Sequence, residues 1–145
     1  MLKSLKSLFD SSEDDQPTAH SVEVAAAALL IEVGRADYES DAEEQKAIIE
    51  AIRLGSGVED GELASLVASA QETAERSTSL YEFTTLINAQ YSMDEKFVLI
   101  KALWRVAAVD GDIHRYEDHL IRRIADLLYV AHTDFIRAKL EVLGS

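Results

Sequence analysis

The apolar residues of this chain recur with the period of an α-helix over almost its whole length. They are spaced three or four residues apart, which places them on one face of a helix with 3.6 residues per turn. No segment alternates apolar and polar residues between hairpin turns, as a half-buried strand does. The pattern therefore predicts an all-α fold, and its first run comprises Val22, Ala25, Ala26, Leu29, Leu30 and Val33.

Local signals divide this pattern into about seven helices in one single-domain bundle. The helix from about Met93 to Val109 is the most apolar, and we expect its Trp104 to lie in the core. Ile49 is predicted to face inward from the second helix, and the last helix carries Phe135, Ile136 and Leu140. Side chains that accept hydrogen bonds from free backbone N–H groups are predicted to begin four helices: Asp41, Ser79, Ser92 and Thr133.

The chain also contains an internal repeat. A shift of 73 residues superposes Asp37 on Asp110 and Glu44 on Glu117, within two segments that both read helix, aspartate, glutamate, helix. Two related three-helix units, joined by the helix that begins near Ser79, then account for the domain. The repeat predicts that the two units pack with pseudo-twofold symmetry.

The first eighteen residues differ from the rest. Met1–Phe9 places Leu2, Leu5, Leu8 and Phe9 on one helical stripe beside Lys3 and Lys6, and the polar acidic run that follows is typical of a linker. We therefore divide the chain into a short amphipathic segment with its linker, residues 1–18, and a helical domain, residues 19–145. The amphipathic segment is predicted to cover its own domain, with weak docking on a membrane or on another protein as the alternatives.

The composition excludes several classes of function. With 27 acidic and 14 basic side chains the formal charge is −13, which disfavours nucleic-acid binding and favours cations or basic partners. The absence of cysteine excludes disulfides, thiolate zinc sites and iron–sulfur clusters. No apolar run approaches the roughly 18 residues of a membrane span, so we expect a cytoplasmic protein without a transmembrane segment.

Acidic residues cluster where the repeat predicts a connection between two helices. The second cluster is Asp110, Asp112 and Glu117, and the first is Asp37, Glu39, Asp41 and Glu44. Carboxylates without cysteine suit Ca²⁺, Mg²⁺ or Mn²⁺, and Gly111 permits a tight turn that brings Asp110 and Asp112 together. Neither loop is an EF-hand, because isoleucine occupies the twelfth position of each, Ile48 or Ile121.

Two other interpretations of the acidic clusters remain open. Acids near helix starts also cap helices and complement the helix dipole, without any metal. His114 lies close enough in sequence to add an imidazole ligand and shift the preference toward zinc. We favour an exposed His114, because a zinc site normally has more nitrogen ligands.

These residues carry a family resemblance. The segment Leu103-Trp-Arg-Val-Ala-Ala-Val-Asp-Gly-Asp-Ile-His-Arg-Tyr-Glu117, its weaker copy ending at Glu44, and Tyr81-Glu-Phe-Thr between them resemble the TerB family, named for tellurite resistance. The first copy departs from the pattern because Tyr38 stands where glycine is expected. The resemblance implies a helical bundle, divalent-cation binding by the repeated acidic motif, and a stress-linked or regulatory role without established catalysis. A related domain in a DnaJ-like co-chaperone implies protein interaction as an alternative.

No motif in the sequence indicates an enzyme. The chain has no glycine-rich phosphate loop, no nucleophile elbow and no HExxH pair, and no glutamate has a histidine three residues later. We therefore expect a non-enzymatic module that contacts an unidentified protein partner. Tyrosine is enriched at interface hot spots, and four tyrosines near helix ends are candidates for that contact: Tyr81, Tyr91, Tyr116 and Tyr129.

Overall fold

The computed structural model describes residues 18–35, 42–56, 58–76, 79–109 and 113–144. Within those ranges the chain forms seven helices and no strand, which confirms the all-α prediction. The helices are α1 (Thr18–Arg35), α2 (Ala42–Ser56), α3 (Asp60–Arg76), α4 (Tyr81–Gln90), α5 (Met93–Ala107), α6 (Arg115–Leu127) and α7 (His132–Leu143).

Two helices, α1 and α5, form the centre of the bundle. α1 packs against α2, α3, α4 and α5, while α5 also packs against α2, α6 and α7. Both helices are apolar around most of their circumference, and such a helix is stable in water only when neighbours cover it on several sides. The buried residues of α5 are Lys96, Leu99, Ile100, Ala102, Leu103, Trp104, Val106 and Ala107.

The helices pack both within and between the two predicted halves, and α1 and α2 of the first half contact α5 of the second. In the first half α1 packs against α2 and α3, and in the second half α5 packs against α6 and α7. α4 connects the halves and packs against α1 and α6. The pseudo-twofold relation between the halves stays a prediction.

Two of the four predicted capping side chains, those of Ser92 and Ser79, accept a backbone N–H at the start of a helix. The Ser92 hydroxyl accepts a hydrogen bond from the Glu95 N–H at 3.1 Å, and the Glu95 carboxylate accepts one from the Ser92 N–H at 2.8 Å. The Ser79 hydroxyl accepts from the Tyr81 N–H at 3.0 Å. The prediction for Thr133 is wrong: α7 begins at His132 after the extended Ala131, so Thr133 already lies inside the first turn.

The predicted inward face of α2 is too wide, and the apolar residues of α7 are not all covered either. Ile48 and Ile52 are buried, but Ile49 is 38% exposed and Leu140 is 45% exposed. On α2 the buried stripe follows Ile48, Ala51 and Ile52, and Ile49 lies about 100° around the helix from Ile48. The side of α2 that is covered is therefore narrower than its apolar pattern.

Gly34 sets the approach of α2 to α1 near the end of α1. A Cβ atom at this position would lie 2.6 Å from Cδ1 of Ile48, a separation that side chains do not tolerate. Glycine thus lets the Ile48 side chain pack directly on the α1 backbone. This contact brings α2 close to α1 near the C-terminal end of α1.

The C-terminal end of α6 is bound by side chains from α4 and α5. Nζ of Lys96 donates to the Leu128 carbonyl at 3.0 Å, and Nδ2 of Asn88 donates to the Leu127 carbonyl at 3.0 Å. The last carbonyls of a helix have no intrahelical partner and carry partial negative charge, so an ammonium group is favourable there. Lys96 is only 6% exposed, and this hydrogen bond explains its burial.

Candidate metal centre at the helix corners

Each acidic cluster begins in the interval between two helices and ends in the first turn of the second helix, at Glu44 or Glu117. α1 ends at Arg35 and α2 begins at Ala42, while α5 ends at Ala107 and α6 begins at Arg115. The last helical hydrogen bond of α5 joins the Ala108 N–H to the Trp104 carbonyl at 3.0 Å, and the Val109 N–H then donates to the Val106 carbonyl at 3.4 Å. The helices that flank each cluster are described, whereas residues 36–41 and 110–112 lie outside the described ranges.

Most of the predicted ligands lie outside the described residues. For Glu44 the helical backbone is described but the side chain is not. Glu117 is the predicted ligand whose side chain the structure describes. The remaining members of the set, all outside the described ranges, are Asp37, Glu39, Asp41, Asp110 and Asp112.

Glu117 is a buried carboxylate at the beginning of α6. It occupies the third position of the helix and is 2% exposed. Its Oε1 accepts a hydrogen bond from the backbone N–H of His114 at 3.1 Å. Burial of a carboxylate is costly unless the group is hydrogen-bonded or paired with a cation. The bond to His114 therefore holds the carboxylate at the α6 end that adjoins the second acidic cluster.

The contact between Glu117 and His114 also agrees with the capping interpretation of the acids. A glutamate at this helix position typically accepts the N–H of the capping residue. The His114 side chain is exposed, as predicted. Within the described ranges no three histidine, aspartate or glutamate side chains converge on a point where a metal ion would fit.

Asp118, the next acid of α6, is engaged differently from Glu117. Its carboxylate lies 3.5 Å from Arg122 and 3.4 Å from Nζ of Lys139. These two cations balance its charge from the α6 and α7 sides. In the first turn of α6, Glu117 is thus buried and bound to the His114 N–H, whereas Asp118 pairs with cations. The sequence pattern alone does not reveal this difference between the two acids.

One match to a known protein family covers both acidic clusters. A family model described as tellurite resistance protein TerB matches residues 23–140. The chain belongs to the TerB family. The match contains both acidic clusters of this TerB chain and begins after its amphipathic segment and linker. Comparison with curated proteins gave no match, and comparison with solved structures gave none either.

The aromatic side chains of the TerB bundle divide into core and surface. Trp104 is fully buried against Phe135, with ring centroids 5.3 Å apart, which confirms its predicted place in the core. Tyr116 and Tyr129 are 69% and 74% exposed, but they lie at opposite ends of α6, about 20 Å apart along its axis. They therefore do not form one patch. No helix within the described ranges is long and apolar enough to cross a membrane.

Tyr91 differs from the exposed tyrosines. It follows α4 and is half-buried. Burial raises the pKa of its phenol, and the nearby carboxylates of Glu23 and Glu95 raise that pKa further. Tyr91 thus marks a place where an apolar surface meets negative charge.

Proposed function

We propose that this TerB domain is a non-enzymatic module that binds a divalent cation at the corner between α5 and α6. Asp110, Asp112 and Glu117 supply the oxygen ligands in this proposal. Ca²⁺, Mg²⁺ and Mn²⁺ are the preferred ions, because hard cations select carboxylate oxygens and the chain has no cysteine. Binding adjusts the domain surface for a protein partner in a stress-response or regulatory assembly.

The observation that supports this proposal best is the position of Glu117. A carboxylate that is 2% exposed attracts a cation more strongly than a hydrated one, because the surrounding dielectric is low. Oε1 of Glu117 accepts the His114 N–H at 3.1 Å, which holds the carboxylate at the end of α6 that adjoins Asp110 and Asp112 in the chain. Membership of the TerB family is a second support, since the resemblance implies cation binding by this acidic motif.

The corner between α1 and α2 is the proposed second site, related to the first by the pseudo-twofold repeat. Its ligands would be Asp37, Glu39, Asp41 and Glu44. Tyr38 follows the first aspartate there, whereas Gly111 follows Asp110. A tyrosine restricts the turn more than a glycine does, so we propose weaker binding at this corner.

Titration of chelator-treated protein with each divalent ion, at constant ionic strength, tests the proposal. The backbone amide signals of His114 and Arg115 should shift in a saturable manner, and Asp110→Ala should abolish the shift. Asp126→Ala is the matched control, because it removes one exposed carboxylate at the opposite end of α6. Unchanged shifts in Asp110→Ala, or diffuse shifts over the whole acidic surface, would contradict metal binding at this corner.

Glu117→Gln separates the ligand role of Glu117 from its capping role. A glutamine side chain can still accept the His114 N–H, because glutamine also serves at this position of a capping box. The substitution removes the negative charge that a cation requires. Bound metal at 100 times its Kd stabilises a protein by about 2.7 kcal/mol, so this stabilisation should fall in Glu117→Gln. Equal metal-dependent stabilisation in both proteins would remove Glu117 from the ligand set.

A metal-independent interaction or co-chaperone-like scaffold domain is the second candidate. The exposure of Tyr81, Tyr116 and Tyr129 favours it, because exposed tyrosines are frequent anchors at protein interfaces. This candidate predicts that added metal changes stability only by screening the acidic charge, so all divalent ions should act alike. A response specific to one ion would favour the metal-binding module instead.

A further inference from the structure

A groove of about 410 Å³ opens between α1, α2 and α5. Its wall contains four alanines, Ala26 and Ala27 on α1, Ala51 on α2 and Ala102 on α5. Alanine side chains end at Cβ, so these positions leave space where three helices meet. Val98, which is 45% exposed, extends the apolar wall toward solvent. The groove is an apolar surface that no helix in the described ranges covers.

The rim of the groove is acidic. Glu23, Asp94 and Glu95 line it together with Tyr91, and none of the described lining residues is basic. The raised pKa of Tyr91, caused first by burial and then by Glu23 and Glu95, agrees with an apolar wall beside negative charge. The groove is therefore complementary to a short amphipathic segment that carries basic residues next to its apolar stripe.

We propose that residues 1–9 of the same chain dock in this groove. These residues lie outside the described ranges, and their apolar stripe consists of Leu2, Leu5, Leu8 and Phe9. Lys3 and Lys6 flank the stripe and match the acidic rim in charge. As a helix the segment would be about 14 Å long, and the groove would receive the apolar side chains that the segment otherwise exposes to water.

The linker is long enough for docking within one chain. Residues 10–17 can span at most about 29 Å, and α1 begins at Thr18, about one turn before the groove residues Val22 and Glu23. A linker this short gives an effective concentration in the millimolar range, which favours the segment of the same chain over that of a second copy. Two lysines give little attraction to an anionic membrane, at about 1 kcal/mol each.

Paramagnetic relaxation measured on the full chain tests the proposal. The chain has no cysteine, so Ser7→Cys provides a single attachment point for a nitroxide label, on the face of the segment opposite its apolar stripe. We expect the label to broaden the amide signals of Val98, Leu99 and Ala102. The amides of α7 should broaden less, because α7 packs on a different face of α5, through contacts such as the one between Phe135 and Trp104.

Two substitutions test the two sides of the contact. Leu5→Asp in the labelled chain should reduce the broadening of the groove amides to the level of the α7 amides. Ser4→Asp adds the same charge outside the apolar stripe and should leave the broadening of the groove amides unchanged. Val98→Lys places a cation on the groove wall at an exposed position, so the fold should persist and the broadening should be lost. Broadening that survives both Leu5→Asp and Val98→Lys would overturn the proposal.

Mixed samples exclude other occupants of the groove. Isotope-labelled protein without nitroxide is combined with nitroxide-labelled protein at natural isotope abundance. Broadening at the groove in this mixture would show docking between two copies and would overturn docking within one chain. Cosedimentation with anionic vesicles, without broadening at the groove in free protein, would also overturn it and would assign residues 1–9 to membranes.

Discussion

Replacing Trp104 by alanine should be among the most destabilising substitutions in this domain. Trp104 is fully buried on α5 and packs against Phe135 of α7, and Nζ of Lys139 lies 5.0 Å from its ring centre. Alanine would leave a cavity at the point where α5 and α7 meet. Large-to-small substitutions of buried tryptophan or phenylalanine cost about 3–5 kcal/mol.

One feature of the site reduces that cost. The indole Nε1 of Trp104 is buried, and the described residues offer it no acceptor. An unpaired buried donor destabilises the folded state by about 1–3 kcal/mol, and alanine removes this penalty together with the ring. We therefore expect a loss at the lower end of the range for such substitutions, about 3 kcal/mol. The entropy of unfolding scales with length to roughly 0.3 kcal/mol/K for 145 residues, so the melting temperature should fall by about 10 °C.

Urea denaturation followed by circular dichroism measures this loss, since Trp104 is the only tryptophan and its fluorescence disappears in the variant. Trp104→Phe is the matched control. It keeps a ring against Phe135 and removes the unpaired N–H, so it should cost less than about 2 kcal/mol. A loss below about 1 kcal/mol for Trp104→Ala, or equal losses for both variants, would refute this account of the core.

Three further predictions concern the buried lysine, a helix cap and the groove. Lys96→Met keeps the aliphatic chain but removes the hydrogen-bond donor to the end of α6, so it should cost about 1–3 kcal/mol in urea denaturation. Lys101→Met removes an ion pair with Glu141 and should cost less than about 1 kcal/mol. Ser92→Ala removes the cap of α5 and should cost about 1 kcal/mol by the same measurement, while Ser69→Ala on the exposed face of α3 should cost nothing. Because burial raises the pKa of Tyr91 above its unfolded value, the stability contribution of its neutral phenol is fully present below about pH 10 and is lost as the pH rises through the folded pKa. Ultraviolet titration should show a late-ionising tyrosine component that Tyr91→Phe removes, and a late component that persists in Tyr91→Phe would contradict this.

Much of the fold could be predicted because its signals are local. Helical period and capping depend on residues within a few positions of one another, so the sequence alone predicts the helices and the Ser92 cap. The absence of a side-chain cap on α7 shows the limit of such signals. Backbone conformation at Ala131 starts that helix, although Thr133 looks like the better capping residue.

The candidate site could be predicted less completely than the fold. The sequence indicates which acids share a corner and which family the motif resembles, and the family match agrees with that resemblance. The sequence does not indicate that Glu117 is buried or that Asp118 pairs with Arg122 and Lys139. The pair with Lys139 forms only because α7 packs beside α6. Whether the acids bind metal stays a prediction.

The sequence by itself determined the helices, their order, the acidic corners and the likeness to TerB. Only the tertiary structure decided which apolar residues are covered, and it buried Trp104 but left Leu140 and Ile49 partly exposed. It also joined the Lys96 ammonium group to the end of α6 and left the groove between α1, α2 and α5. Helix formation depends on hydrogen bonds and spacing within one segment, whereas burial depends on the surfaces of segments that are distant in the chain.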